Sequence, residues 1–132
     1  MNLQFIAVAE GATIDRATNR ISLFNLMDEI AVPAFPVMIP TMAVANMISR
    51  DAGEEAVPVR LRITLNEQNL LLTDIQLDFQ GHLRTRGVVM IQGLIIQQPG
   101  NCVVDILFGD NVAGTWTIPV QAVGQPHPNP YP

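Results

Sequence analysis

The sequence predicts an all-β protein, an immunoglobulin-like or transthyretin-like β-sandwich of seven or eight mostly antiparallel strands, with a small closed β-barrel as the alternative. Three observations point there. Apolar and polar residues alternate along much of the chain, the period of a strand with one wet face. Turn-forming clusters separate these runs, and no stretch carries a convincing helical period. Residues 19–41 read as a strand entering a connection that holds Pro33, Pro36 and Pro40. Proline lacks a backbone N–H and fixes φ, so this connection is expected to be neither helix nor ladder-paired strand. An ordered apolar link of this kind carries a sandwich chain between its sheets.

Taken in order, residues 3–12 form the first expected strand, with Leu3, Phe5, Ala7 and Ala9 on one face. A polar turn at 15–19 returns the chain into residues 20–30, with Ile21, Leu23 and Met27 opposed to Ser22, Phe24 and Leu26. After the proline connection comes a strand at 42–49, then an acidic solvated turn at 50–55. Residues 57–65 give the cleanest alternation, Val57, Val59, Leu61, Ile63 and Leu65 against Pro58, Arg60, Arg62 and Thr64. Residues 70–80 answer with Leu71, Thr73, Ile75, Leu77 and Phe79 inward. For two odd-numbered faces to meet across a hairpin the loop must hold an odd number of residues, and Glu67-Gln68-Asn69 satisfies this. That register sets Arg62 opposite Asp74 and Arg60 opposite Gln76.

Residues 86–97 are apolar on both faces, which marks either a central strand or part of an interface. Pro99-Gly100 has the signature of a type II turn. Residues 103–108 and 112–120 close the domain as a hairpin around Gly109-Asp110-Asn111, with Val104 opposite Trp116 and Ile106 opposite Gly114. Trp116, the one tryptophan, is expected to be largely buried there. The organisation is one sandwich domain over 1–123 and a proline-rich tail over 124–132.

The run Asn19-Arg20-Ile21-Ser22-Leu23-Phe24-Asn25-Leu26-Met27-Asp28, the Phe35-Pro36 step closed by Pro40, and the Pro-Gly turn with its hairpin from Pro99 to Val120 resemble a family of small bacterial all-β proteins of unknown function. The likeness spans most of residues 2–123. It departs at Asn25, where the family pattern has glycine, so the strand is expected to sit differently there. The resemblance implies a compact β-sandwich and no activity.

Composition narrows the function classes. With 132 residues the chain has room for one core. A net charge of −5, without a single lysine, argues against nucleic-acid and anionic-membrane partners, both of which require a basic face. No apolar run approaches the roughly 18 residues of a membrane helix. The N-terminus has no signal-peptide pattern, and a lone Cys102 requires no oxidising compartment; the expectation is a cytoplasmic protein.

The chemistry-bearing residues form no catalytic set. His82 and His127 are far apart in sequence, Cys102 sits among valines as a small hydrophobe does, and neither serine lies in a nucleophile elbow. The chain is therefore not expected to be an enzyme, and no cofactor or metal is expected. Arg60, Arg62, Arg84 and Arg86 with His82 are the candidate ligand patch, because guanidinium forks match carboxylate and phosphate. Pairing with acids would make that patch an ordinary charged face; unpaired arginines around a concavity would make it a site.

The first functional expectation is an interaction module or assembly subunit, a homo-oligomer or a partner of another protein; the alternative is a binder of small anionic ligands. Only 14% of residues are charged, against about 25% in an average soluble domain, which leaves an unusually apolar surface to cover. Phe35, Val37, Met38, Ile39 and Met90 are the candidate interface. The tail, with proline at every second position from 126, reads as a polyproline II ligand for a partner's aromatic groove or as an unstructured end.

Overall fold

The computed structural model describes residues 1–55 and 57–123. Within them the chain is all-β, with nine strands and no helix: β1 Asn2–Ile14, β2 Ile21–Leu26, β3 Ile30–Val32, β4 Val37–Ser49, β5 Val59–Leu65, β6 Gln68–Ile75, β7 Arg84–Ile96, β8 Gly100–Phe108 and β9 Asn111–Ala122. They form a sandwich of two sheets, β2-β1-β4-β7 and β3-β9-β8-β5-β6. All pairings are antiparallel except β3 with β9. The proline-rich tail lies outside the described residues.

The core follows the alternation. Val8, Met42, Val44 and Ile48 of the first sheet meet Leu61, Ile63, Val104, Ile106 and Ile118 of the second, every one fully buried. Asn46 also faces inward, and its ladder partner Gly87 leaves room for the amide: a Cβ there would stand 3.4 Å from Oδ1.

The stretch around the prolines differs from expectation in two ways. Residues 20–30 are two strands, because the chain leaves the first sheet after Leu26 and joins the second at Ile30. The prolines then return it, and β4 already starts at Val37 with Pro40 inside it. Pro40 is tolerated because β1 pairs with β4 only from Ala43 onward, so the strand there has one neighbour, β7. Across from it Gly93 takes φ 72, and the two strands bend together. The buried face switches at this bend, from Ile39 and Leu94 on one side to Met42 and Ile91 on the other. Asn25, the departure from the family pattern, holds φ 56, so asparagine keeps the left-handed conformation that a glycine would supply.

The β8–β9 hairpin has the expected register, Val104 opposite Trp116 and Ile106 opposite Gly114. Trp116 is partly rather than largely buried; it packs on the core and its Nε1–H donates to the Met27 carbonyl at 2.8 Å, tying down the sheet crossover. The space above Gly114 is taken by Leu3 from the opposite sheet.

The β5–β6 register is a correction. The loop is the two-residue Asn66-Glu67, both at positive φ, and a bulge between Ile63 and Thr64 restores the parity of the faces. Arg60 therefore stands opposite Asp74, and Arg62 opposite Leu72. A bulge changes parity without leaving a mark in the alternation, so counting loop residues misplaced the pair.

For β7 the structure removes one of the two expected alternatives, the central strand. Among the described residues it is an edge strand, bonded to β4 alone. Its apolar character on both faces does not reflect a central position.

Candidate functional site

The structure divides the candidate ligand patch in two. Arg60 and Arg62 lie on β5 and both meet carboxylates: Arg60 Nη2 is 3.3 Å from Asp110 Oδ1, and Arg62 Nη2 is 2.9 Å from Asp105 Oδ2. Asp105 is buried, and its other oxygen accepts the Thr115 hydroxyl at 2.6 Å. These two arginines are structural.

His82, Arg84 and Arg86 instead line an open cleft of about 560 Å³ at the start of β7, and Arg16 joins them. Arg16 comes from the turn between β1 and β2. Asp15 builds that turn: its Oδ1 accepts the backbone N–H groups of Ala17 at 2.8 Å and Thr18 at 3.0 Å, and its carbonyl accepts from Asn19. The bond from Thr18, then that from Ala17, holds the Asp15 carboxyl below its usual pKa. The hairpin curls over the outer face of the first sheet, where Ile21 and Leu23 share a small hollow with Phe5, Met47 and Arg86. Arg86 Nη1 donates to the Asn19 carbonyl at 3.1 Å, which fastens the turn to β7.

The opposite wall is the segment between β6 and β7. Phe79 anchors it in the core, and the Arg50 guanidinium lies 4.5 Å above the Phe79 ring while its Nε donates to the His82 carbonyl. Asp78 accepts the Gln80 N–H at 3.0 Å through Oδ1 and the Thr85 hydroxyl at 3.1 Å through its carbonyl. Among the described residues none of Arg16, Arg84 and Arg86 enters an ion pair, and Asp78 is the one carboxylate in the cleft wall. Three guanidinium groups against one carboxylate give a local cationic excess on a chain of net charge −5. A second cleft, of about 500 Å³ beside β3 and Pro40, carries Glu10 and Glu29 and no cation.

Arg16 escaped the sequence reading. The turn itself was legible, since Asp15 with Thr18 is an Asx-turn pattern, but nothing local shows that the hairpin folds back across the sheet to reach β7.

The candidate interface is also redistributed. Ile39 is buried in the core, and Phe35 and Val37 are half-buried against it. Met38 and Met90 remain exposed, on the outer face of the first sheet, and Ile95, Phe24 and Leu26 are exposed as well. Met38 and Ile95 are ladder partners, so their side chains stand side by side next to the β7 edge.

Cys102 is buried in β8, and burial pushes its thiol pKa up to about 11. It is expected to resist a thiol-directed reagent in the native protein and to react once denaturant unfolds the chain. The same shift sets a pH dependence. The neutral thiol is the form that the fold favours, so its contribution is intact below the unfolded value near 9 and is lost as pH rises towards 11. Denaturation midpoints measured across that range should fall, and a Cys102→Ala variant should lose this part of the fall.

No group of three or more His, Cys, Asp or Glu side chains converges on a metal-sized space among the described residues, and no helix there is long and apolar enough to cross a membrane. No curated protein matches the chain. A family model does match, over residues 4–121, and its description is a family of unknown function (DUF6941). With the alternating strands, the Asn25 turn and the closing hairpin all inside the matched span, the chain belongs to that family.

Proposed function

We propose that the protein is a non-catalytic assembly subunit that associates with a second copy of itself through β7. The observation that carries this reading is the β7 edge. Native sheets protect exposed edges with lysine, proline, inward charge or brevity. β3 is three residues long, β2 is interrupted by the positive φ of Asn25, and β6 carries Asp74. β7 runs for 13 residues with no proline, lysine or acid, and among the described residues none of the backbone bonds outside the ladders involves it.

A second copy suits this edge for reasons of charge and surface. Arg84 and Arg86 occupy one end of β7, so antiparallel pairing about a two-fold axis keeps the like charges of the two copies apart. Parallel pairing would bring them together. The same axis joins the two outer faces side by side, so that Met90 of each copy, half exposed in the single chain, is covered near the centre. The bend at Gly93 limits the straight pairing segment to the first part of the strand.

Light scattering on purified protein is expected to give a dimer or a higher even-numbered species. Met90→Lys, a change on the outer face away from the core, should shift it to monomer with its far-ultraviolet circular dichroism unchanged. A wild-type monomer at all concentrations would overturn self-association. An oligomer indifferent to Met90→Lys would place the contact elsewhere.

A further inference from the structure

We propose that the cleft formed by Arg16, His82, Arg84 and Arg86 binds the phosphate group of a small polyhydroxylated phosphate monoester. The cleft opens at the start of β7, the strand through which self-association is proposed, and its membership follows from the tertiary structure, because Arg16 arrives from the β1–β2 turn while Arg60 and Arg62 are excluded by their acids.

The charge of the ligand follows from the charge of the wall. Three guanidinium groups that have no carboxylate partner among the described residues face one carboxylate, an excess that one dianionic group would neutralise. Guanidinium offers N–H pairs at the spacing of phosphate oxygens, and such charge-assisted bonds are roughly twice as strong as neutral ones. A protein of net charge −5 would repel a dianion elsewhere, so a local cationic wall also directs the approach.

The remaining lining describes the rest of the molecule. A cleft of about 560 Å³ is far larger than a bare phosphate ion and falls in the size range of small-molecule sites. Besides Phe79 and Thr85, its other contributors are Asn19, Gln76, Gln80 and Asp78, which are amides and a carboxylate able to bond hydroxyl groups. Phe79 also lines the cleft but is 7% exposed, which leaves little of its ring for a base to stack on. Hydroxyl-rich is thus favoured over aromatic for the part that carries the phosphate.

The walls are held before a ligand arrives. Arg86 fastens the Arg16 turn, and Arg50 with Phe79 fastens the segment that bears His82. Pre-formed walls reduce the ordering cost of binding.

The test is isothermal titration of the full chain with glucose 6-phosphate, inorganic phosphate and glucose in low-salt buffer. Binding of the sugar phosphate is expected, with weaker binding of inorganic phosphate and none of glucose. Arg84→Gln removes an exposed side chain that has no hydrogen bond or ion pair among the described residues, so misfolding is not a concern. It and Arg16→Gln should each weaken binding roughly tenfold or more. Arg60→Gln, on the other sheet, should leave it unchanged. Absence of binding, or equal loss in Arg60→Gln, would overturn the site. Inorganic phosphate binding as tightly as the ester would overturn the polyhydroxylated part, and glucose binding alone would overturn the phosphate part. Light scattering of the same samples reads self-association separately.

Discussion

Gly100→Ala is expected to destabilise the protein by about 3 kcal/mol or more, one of the two largest effects of a single substitution outside the hydrophobic core. Gly100 opens β8 with φ 147, in a region that side-chain-bearing residues rarely adopt. A Cβ at this position would collide with the side-chain amide of Asn66. That amide has little freedom to retreat. Asn66 Nδ2 donates to the Pro99 carbonyl at 3.0 Å, Oδ1 accepts from Asn101 N–H at 3.3 Å, and its own N–H donates to the Asn101 carbonyl at 3.2 Å. Asn66 is in turn held at φ 49 by the β5–β6 turn. One methyl group therefore strains two turns and the three bonds that join them. Denaturant unfolding should show the midpoint fall at unchanged slope. Asn66→Gly removes the colliding atoms, so Gly100→Ala should cost less in that background. Equal costs in both backgrounds would show that backbone strain alone is responsible.

Asp105→Ala is expected to cost about 2–3 kcal/mol, somewhat below the range for a fully buried pair because the Arg62 side chain is 33% exposed. The carboxylate accepts from Arg62 and from Thr115, and its removal leaves both donors without it. Arg62 Nε is itself buried with no hydrogen-bond partner among the described residues, so the guanidinium depends all the more on the bond from Nη2 to Asp105. The paired replacement Arg62→Met with Asp105→Leu should recover most of the loss, since apolar groups of similar volume carry no unmet bonds. Arg60→Ala is the contrast. Its partner Asp110 is fully exposed, and losing that pair should cost well under about 1 kcal/mol. If Asp105→Ala proved as mild as Arg60→Ala, burial of the Arg62 pair would not be the source of its strength.

The two arginines show how far the sequence reaches. Their placement on one wet face of β5 was legible, because alternation with Val59, Leu61 and Ile63 is a local property. Their partners were not. The sequence reading sought an acid across the β6 hairpin, whereas Arg62 finds Asp105 on β8, a strand that lies on its other side and arrives some 40 residues later. A strand has two flanks, and only the hairpin flank is written in neighbouring residues.

The proline segment teaches the same distinction from the opposite direction. Proline excludes a ladder from a strand flanked on both sides, because it has no N–H to donate. Pro40 sits in β4 because β1 has already turned away into its hairpin with β2, and because Gly93 bends with it. Both conditions are tertiary.

What the sequence determined by itself is the all-β class, the positions of most strands, the faces of β5 and β6 that turn towards the core, and the register of the β8–β9 hairpin, where Val104 meets Trp116 as its parity requires. These are consequences of side-chain alternation and turn chemistry, which act over a few residues. Only the tertiary structure decided that β7 stands at an edge, that Arg62 is spent on Asp105, and that the β1–β2 turn folds across the first sheet to put Arg16 beside Arg84 and Arg86. Those outcomes depend on which strands become neighbours without a hairpin between them, and that is settled by packing two whole sheets around one core rather than by any local pattern.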